Sequence, residues 1–124
     1  MPPATTPQKP ASEIALKAEE FLRKALLRIG SDDAHYLRCF RTGNGRQLAL
    51  NRVNAGIDVW TEPVWERTAP AFQSMRKKRY GADADRISTL EANAPRLWKG
   101  SAADYWRFPT LGDLDAFVAW YKTL

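Results

Sequence analysis

A chain of 124 residues, 44% hydrophobic and 27% charged, has the length of one domain and ordinary globular usage. Its single cysteine excludes an intrachain disulfide and fits a reducing compartment, the cytoplasm. No stretch approaches the roughly 20 apolar residues that span a bilayer, so no membrane association is expected. The net charge of +5 directs attention to anionic partners.

Residues 1–11 hold four prolines and no large apolar group after Met1. They read as a disordered tail, without the apolar run of a secretion signal. Residues 12–124 read as one α+β domain. Ser12 offers a helix N-cap, and Glu13 follows where the helix dipole favours an acid. Ile14, Ala18, Phe21, Leu22, Ala25 and Ile29 then repeat at helical spacing, with Lys17, Glu20, Arg23, Lys24 and Arg28 mainly opposite. This predicts an amphipathic helix over 12–29, stopped by Gly30.

Three strands follow, at about 35–42, 46–53 and 57–62. The turns between them are Gly43-Asn44-Gly45 and Asn54-Ala55-Gly56, residues that tolerate the positive φ of hairpin turns. Alternation assigns Leu37, Cys39, Leu48, Leu50, Ile57 and Val59 to one apolar face. It assigns Tyr36, Arg38, Phe40, Gln47, Asn51, Asp58 and Trp60 to the other.

Pro63 opens a short predicted helix over Val64–Thr68, and Ala71–Tyr80 reads as a second, anchored by Phe72 and Met75 and stopped by Gly81. Ser88 and Glu91 have capping-box spacing, which suggests a turn of helix before Pro95. The rest of 81–103 reads as loop. Asp104–Phe108 predicts a fourth strand. Thr110 caps a last helix with an apolar stripe of Leu114, Phe117, Val118, Tyr121 and Leu124. The expected architecture is an antiparallel sheet of three to four strands covered by the N- and C-terminal helices, a two-layer α+β sandwich.

No catalytic constellation emerges. His35 is the only histidine, and on a strand it would lie about 13 Å from Cys39, too far for proton transfer. Cys39 is expected to be a buried structural thiol. Two potential Cys/His ligands cannot build a structural zinc site. The acidic pairs Asp32/Asp33, Asp83/Asp85 and Asp113/Asp115 sit where Asp caps helices and solvates loops. No phosphate-loop signature is present: Lys99-Gly100-Ser101 lacks the preceding glycine pattern. No metal, cofactor or catalytic residue is therefore assigned.

Binding is left. Residues 63–99 carry eight basic and four acidic groups, most of the net charge, concentrated at Arg76, Lys77, Lys78 and Arg79. Tyr36, Arg38 and Phe40 alternate along one strand, and Trp60 falls on the same predicted face. Rings interleaved with arginine can stack bases and hold phosphates. The competing expectation is that this face packs beneath 63–99 as a second core. These features point to a small non-enzymatic module that binds nucleic acid or a nucleic-acid complex through those eight residues. The alternative is a protein-interaction module, such as an inhibitor, immunity or assembly protein of phage or mobile-element origin, without nucleic-acid binding.

Overall fold

The computed structural model describes residues 10–31, 35–63 and 70–124. Residues 1–9 of the tail expected over 1–11, the short helix over 64–68 and the pair Asp32/Asp33 lie outside the described residues.

Helix α1 spans Glu13–Ala25. Ser12 caps it as expected, its Oγ accepting from Ala15 N at 3.2 Å and donating to Asn54 O at 2.6 Å. The helix ends before the predicted Ile29. Leu26 turns extended (φ −130°, ψ 169°), and Leu27–Ile29 form a strand, β1. The strand wins because Leu27, Arg28 and Ile29 pair with Arg41, Phe40 and Cys39 of the next strand, contacts that helical periodicity does not register. Gly30 follows at φ +74°, where a Cβ would lie 2.8 Å from Asn93 Cβ. Both the backbone angle and the close approach demand glycine there.

The three predicted strands are present as β2 (Leu37–Arg41), β3 (Gln47–Asn51) and β4 (Ile57–Thr61). The first turn is tight: Gly45, at φ +91°, donates its N–H to Thr42 O at 2.9 Å. A short helix α2 (Pro70–Gln73) then leads into a strand, β5 (Arg76–Tyr80). The expected helix over 71–80 is thereby corrected, since only its first turn is helical. Arg76 to Tyr80 instead pair with the predicted last strand, observed as β6 (Ala103–Phe108). Between β5 and β6 lie α3 (Thr89–Asn93) and a 3-10 turn, Pro95–Leu97. Ser88 precedes α3 as expected, but its side chain makes no capping bond. The last helix, α4, spans Leu111–Tyr121. Thr110 Oγ1 accepts from Asp113 N at 3.1 Å, the predicted cap.

Among the described residues six strands form one antiparallel sheet in the order β1-β2-β3-β4-β6-β5. The fold is α+β with helices at both ends, as expected, but with six strands rather than three to four. The extra two are the edges, each too short or too charged to show apolar alternation.

Helices α1 and α4 cover one face. Ala18, Leu22, Leu114, Phe117 and Val118 pack there on Phe40, Leu48, Leu50, Ile57, Val59, Trp106 and Phe108. The other face is also covered. Leu90, Ala94 and Leu97, from α3 and the 3-10 turn, pack on Leu37, Cys39, Ala49, Trp60 and Ala103. The anticipated second core is thus real, and two layers do not describe the arrangement.

The face assignment needs one correction. In each strand the alternation is right, but the phase of β2 is reversed. Register places Phe40 opposite Leu48 and Cys39 opposite Ala49. Phe40 therefore joins Leu48 and Leu50 beneath the terminal helices, while Leu37 and Cys39 join Trp60 on the opposite side. A slip of one residue exchanges the faces of a whole strand, and only the cross-strand pairing sets it.

Candidate functional site

The eight residues singled out from the sequence do not converge. Phe40 is fully buried and Trp60 is 5% exposed, on opposite faces. Arg38 is also buried. Its Nε donates to Glu19 Oε2 at 3.2 Å on α1. Tyr36 is half-buried just before β2, its ring edge-on to His35 at 5.0 Å. The basic run is β5, four strand steps from β2. At about 4.8 Å per step the two are roughly 19 Å apart.

The expected base-stacking face is therefore not assembled. Trp60 packs against Tyr80 and Tyr105, each with centroids at 4.7 Å. Among the described residues, every Phe, Tyr and Trp except Tyr36 belongs to one of the two cores.

On β5 the four cations divide. Arg79 stands directly opposite Asp104 of β6 and grips it with two bonds, Nε to Oδ1 at 2.7 Å and Nη2 to Oδ2 at 3.0 Å. Arg76 Nη1 lies 3.8 Å from the same carboxylate, which is wholly buried. Between them the ladder is irregular. The register passes from Arg76 opposite Trp106 to Lys78 opposite Tyr105, leaving Lys77 as the bulged residue. Lys77 and Lys78 are exposed, and neither contacts an acid among the described residues. Lys78 Nζ sits 4.3 Å from the Tyr80 ring centroid, and Arg86 Cζ sits 5.5 Å from it. Both are cation–π contacts that hold positive charge along this edge.

A second set of charges was not legible as a site. Asp58 is wholly buried in β4, directly opposite Arg107 of β6. Arg107 donates twice to it, at 2.7 and 2.8 Å. Tyr105 OH donates at 2.9 Å and Asn54 Nδ2 at 2.7 Å. Burial alone would raise the Asp58 carboxyl, but the bonds from Arg107, Asn54 and Tyr105 outweigh it and hold the carboxyl below its ordinary value. Burial, and then the Asp58 charge, push the Tyr105 phenol up. Neither group changes its proton near neutral pH, so this pair is not poised for acid–base chemistry.

Glu19 of α1 repeats the pattern with Arg52, Arg23 and Arg38 at 2.8, 3.0 and 3.2 Å. Glu62 accepts from Gln47 N and pairs with Arg96 Nη2, both at 2.6 Å. The four buried carboxylates each consume arginines that the sequence presents as free positive charge. The available signal was position: Asp58 and Asp104 lie inside strands, and Glu19 falls four residues after Ala15 and three before Leu22, within the buried stripe of α1.

Cys39 is buried, as expected, and burial pushes its thiol to about 12. A thiol so placed holds almost no thiolate at neutral pH and is inert as a nucleophile. A thiol-reactive disulfide reagent at about pH 8 should leave Cys39 unmodified in the folded protein and react promptly in denaturant. Prompt reaction without denaturant would show that the face beneath α3 opens readily.

Among the described residues no group of three or more His, Cys, Asp or Glu side chains gathers to hold a metal, and no helix is long and apolar enough to cross a membrane. An open depression of about 420 Å³ lies beside the start of α1, lined by Ser12, Glu13, Ile14, Lys17 and Ala55. Its two charges pair with one another at 3.8 Å. No protein-family model, no curated protein sequence and no solved structure matches this chain.

Proposed function

We propose that the protein is a small non-enzymatic binding module that takes nucleic acid on its β5 edge, with Lys77 and Lys78 as the primary phosphate contacts. The observation that supports this reading is the division of charge on β5. Arg76 and Arg79 hold the buried Asp104, whereas Lys77 and Lys78 extend from the same edge with no acid in contact among the described residues. Arg107, half-exposed two residues beyond Tyr105 on β6, lies diagonally from Lys78, but its charge is matched by Asp58.

The expected roles of the other residues change accordingly. Arg38, Phe40 and Trp60 support the fold from buried positions, and Tyr36 lies too far away to share a ligand segment with β5 in a compact contact.

The double variant Lys77→Ala/Lys78→Ala should weaken binding to DNA or RNA and flatten its salt dependence. The slope of log affinity against log salt should fall by nearly two, at about 0.7–0.9 per lost phosphate contact. Its stability should stay within about 0.5 kcal/mol of the parent, as for other exposed substitutions. Arg79→Ala should behave differently. It deprives a wholly buried carboxylate of its bidentate partner, so its first effect is a lower melting temperature. The partial exposure of Arg79 and the nearby Arg76 reduce that loss to about 2 kcal/mol. Absence of binding to either DNA or RNA at low salt would remove this reading and leave the protein-interaction alternative.

A further inference from the structure

We infer that the ligand of the β5 edge is duplex nucleic acid, held by its phosphate backbone and without reading of bases; this rests on the nucleic-acid reading above. Three features of the molecule converge on it. The first is the fate of the aromatic rings. Proteins that hold single strands offer rings on which bases stack. Here the two tyrosines nearest the basic edge are already committed: Tyr80 and Tyr105 both pack on Trp60 at 4.7 Å, and Lys78 covers Tyr80. No described ring beside β5 presents a free stacking platform.

The second feature is the kind of donor available. Lys77 and Lys78 carry flexible ammonium groups, point charges with no planar fork. Base-edge recognition in a groove favours bidentate donors such as arginine. The arginines of this edge are committed: Arg76 and Arg79 to Asp104, Arg107 to Asp58, and Arg86 to the backbone oxygens of Gly81, Leu97 and Ser101. The groups that remain suit phosphate oxygens and discriminate poorly among bases. For such contacts the density of charge decides. A duplex presents a phosphate about every 1.7 Å of its axis, twice the density of one of its strands.

The third feature argues against an acidic peptide added as a seventh strand. Strand addition needs a regular edge, and β5 carries a bulge at Lys77. Bulges and clustered lysines are the means by which sheet edges resist another strand. The same features leave the side chains accessible to a partner that contacts charge rather than backbone.

The test is a set of anisotropy titrations of the full chain at low salt. The probes are a duplex DNA of about 20 base pairs, one of its strands alone, a second duplex of scrambled sequence, and a poly-glutamate peptide of equal charge. The two duplexes should bind with equal affinity within about twofold, and the single strand and the peptide at least about threefold more weakly. Lys77→Ala/Lys78→Ala should reduce binding to both duplexes by the same factor. Tighter binding of the single strand would overturn the inference, as would a preference of about tenfold or more for one duplex sequence. Poly-glutamate bound as tightly as duplex would also overturn it and favour an acidic protein partner. If none of the four binds, the nucleic-acid reading itself fails, a result distinct from the wrong preference among nucleic acids.

Discussion

Phe117→Ala is expected to lower the stability of this protein by about 3–5 kcal/mol, the usual loss for a large ring removed from a core. Phe117 is wholly buried on α4. Its ring lies 4.7 Å from Trp106, 4.9 Å from Phe108, 5.5 Å from Phe72 and 5.6 Å from both Trp120 and Tyr121. Five rings on α2, β6 and α4 thus meet on one side chain. Truncation leaves a void that rigid rings refill poorly, and the aromatic contacts are lost as well. Small domains have about 5–15 kcal/mol in total, so the variant should sit near its unfolding limit. Phe117→Leu, which keeps apolar bulk, should lose less. Phe21→Ala should also lose less, because Phe21 is half-buried at the margin of the same core. Thermal or urea melts of the three variants check the order. A Phe117→Ala melt equal to wild type would mean that α4 does not pack on the sheet through this face.

Glu19→Ala is expected to be nearly as damaging, although its parent residue is an acid on a surface helix. Its carboxylate binds Arg52, Arg23 and Arg38 and so ties α1 to β2 and to the turn after β3. Arg52 is largely buried and would keep only His35 O, at 3.1 Å, as a described acceptor. Removing one partner of a buried ion cluster costs about 3–5 kcal/mol, because the remaining charge stays desolvated. Burial tends to raise the Glu19 carboxyl, but the bonds from Arg52 and Arg23, with the charges of Arg52 and Arg38, outweigh it and lower the value.

The sign of the pH dependence follows. A carboxyl whose value is lower in the folded state than in the unfolded chain contributes its full stability above the ordinary value of about 4.3. That contribution is lost as the pH falls below it and through the folded value. Asp58 has the same sign. Stability should therefore drop on acidification below about pH 4, and Glu19→Gln should show a shallower drop than the parent. An equal acid dependence for parent and Glu19→Gln would contradict the assigned role of Glu19.

The elements that could be read from the chain were those with a local cause. Ser12 and Thr110 cap helices because a hydroxyl in that position satisfies a nearby N–H. Gly45 makes its turn because positive φ suits glycine. The three central strands follow from alternation and from the turns between them. Thr89–Asn93 was legible as a helix, yet the Ser88 side-chain bond that the capping pattern implied is not made. The segment Arg76–Tyr80 is a strand that its own residues do not announce, because a run of long cations suits a helix as well as an edge strand. Nothing within those five residues records that β6, more than twenty residues away, is their partner.

The helix starts at Ser12 and Thr110, the tight turn at Gly45 and the α+β class are consequences of residues within a few positions of one another, and the chain alone is enough to state them. The phase of β2, the second core beneath α3 and the division of the β5 cations depend on residues brought together from distant positions. Cys39 faces Trp60 rather than Leu48 because Cys39 pairs with Ala49, a matter of one residue in register. Arg79 and Lys78 are neighbours of like charge in the chain. The pleat sends Arg79 to the face where Asp104 is buried and Lys78 to the opposite face over Tyr80. Burial makes a charge demand a partner, and only the tertiary structure reveals which charges are buried and which remain to meet a ligand.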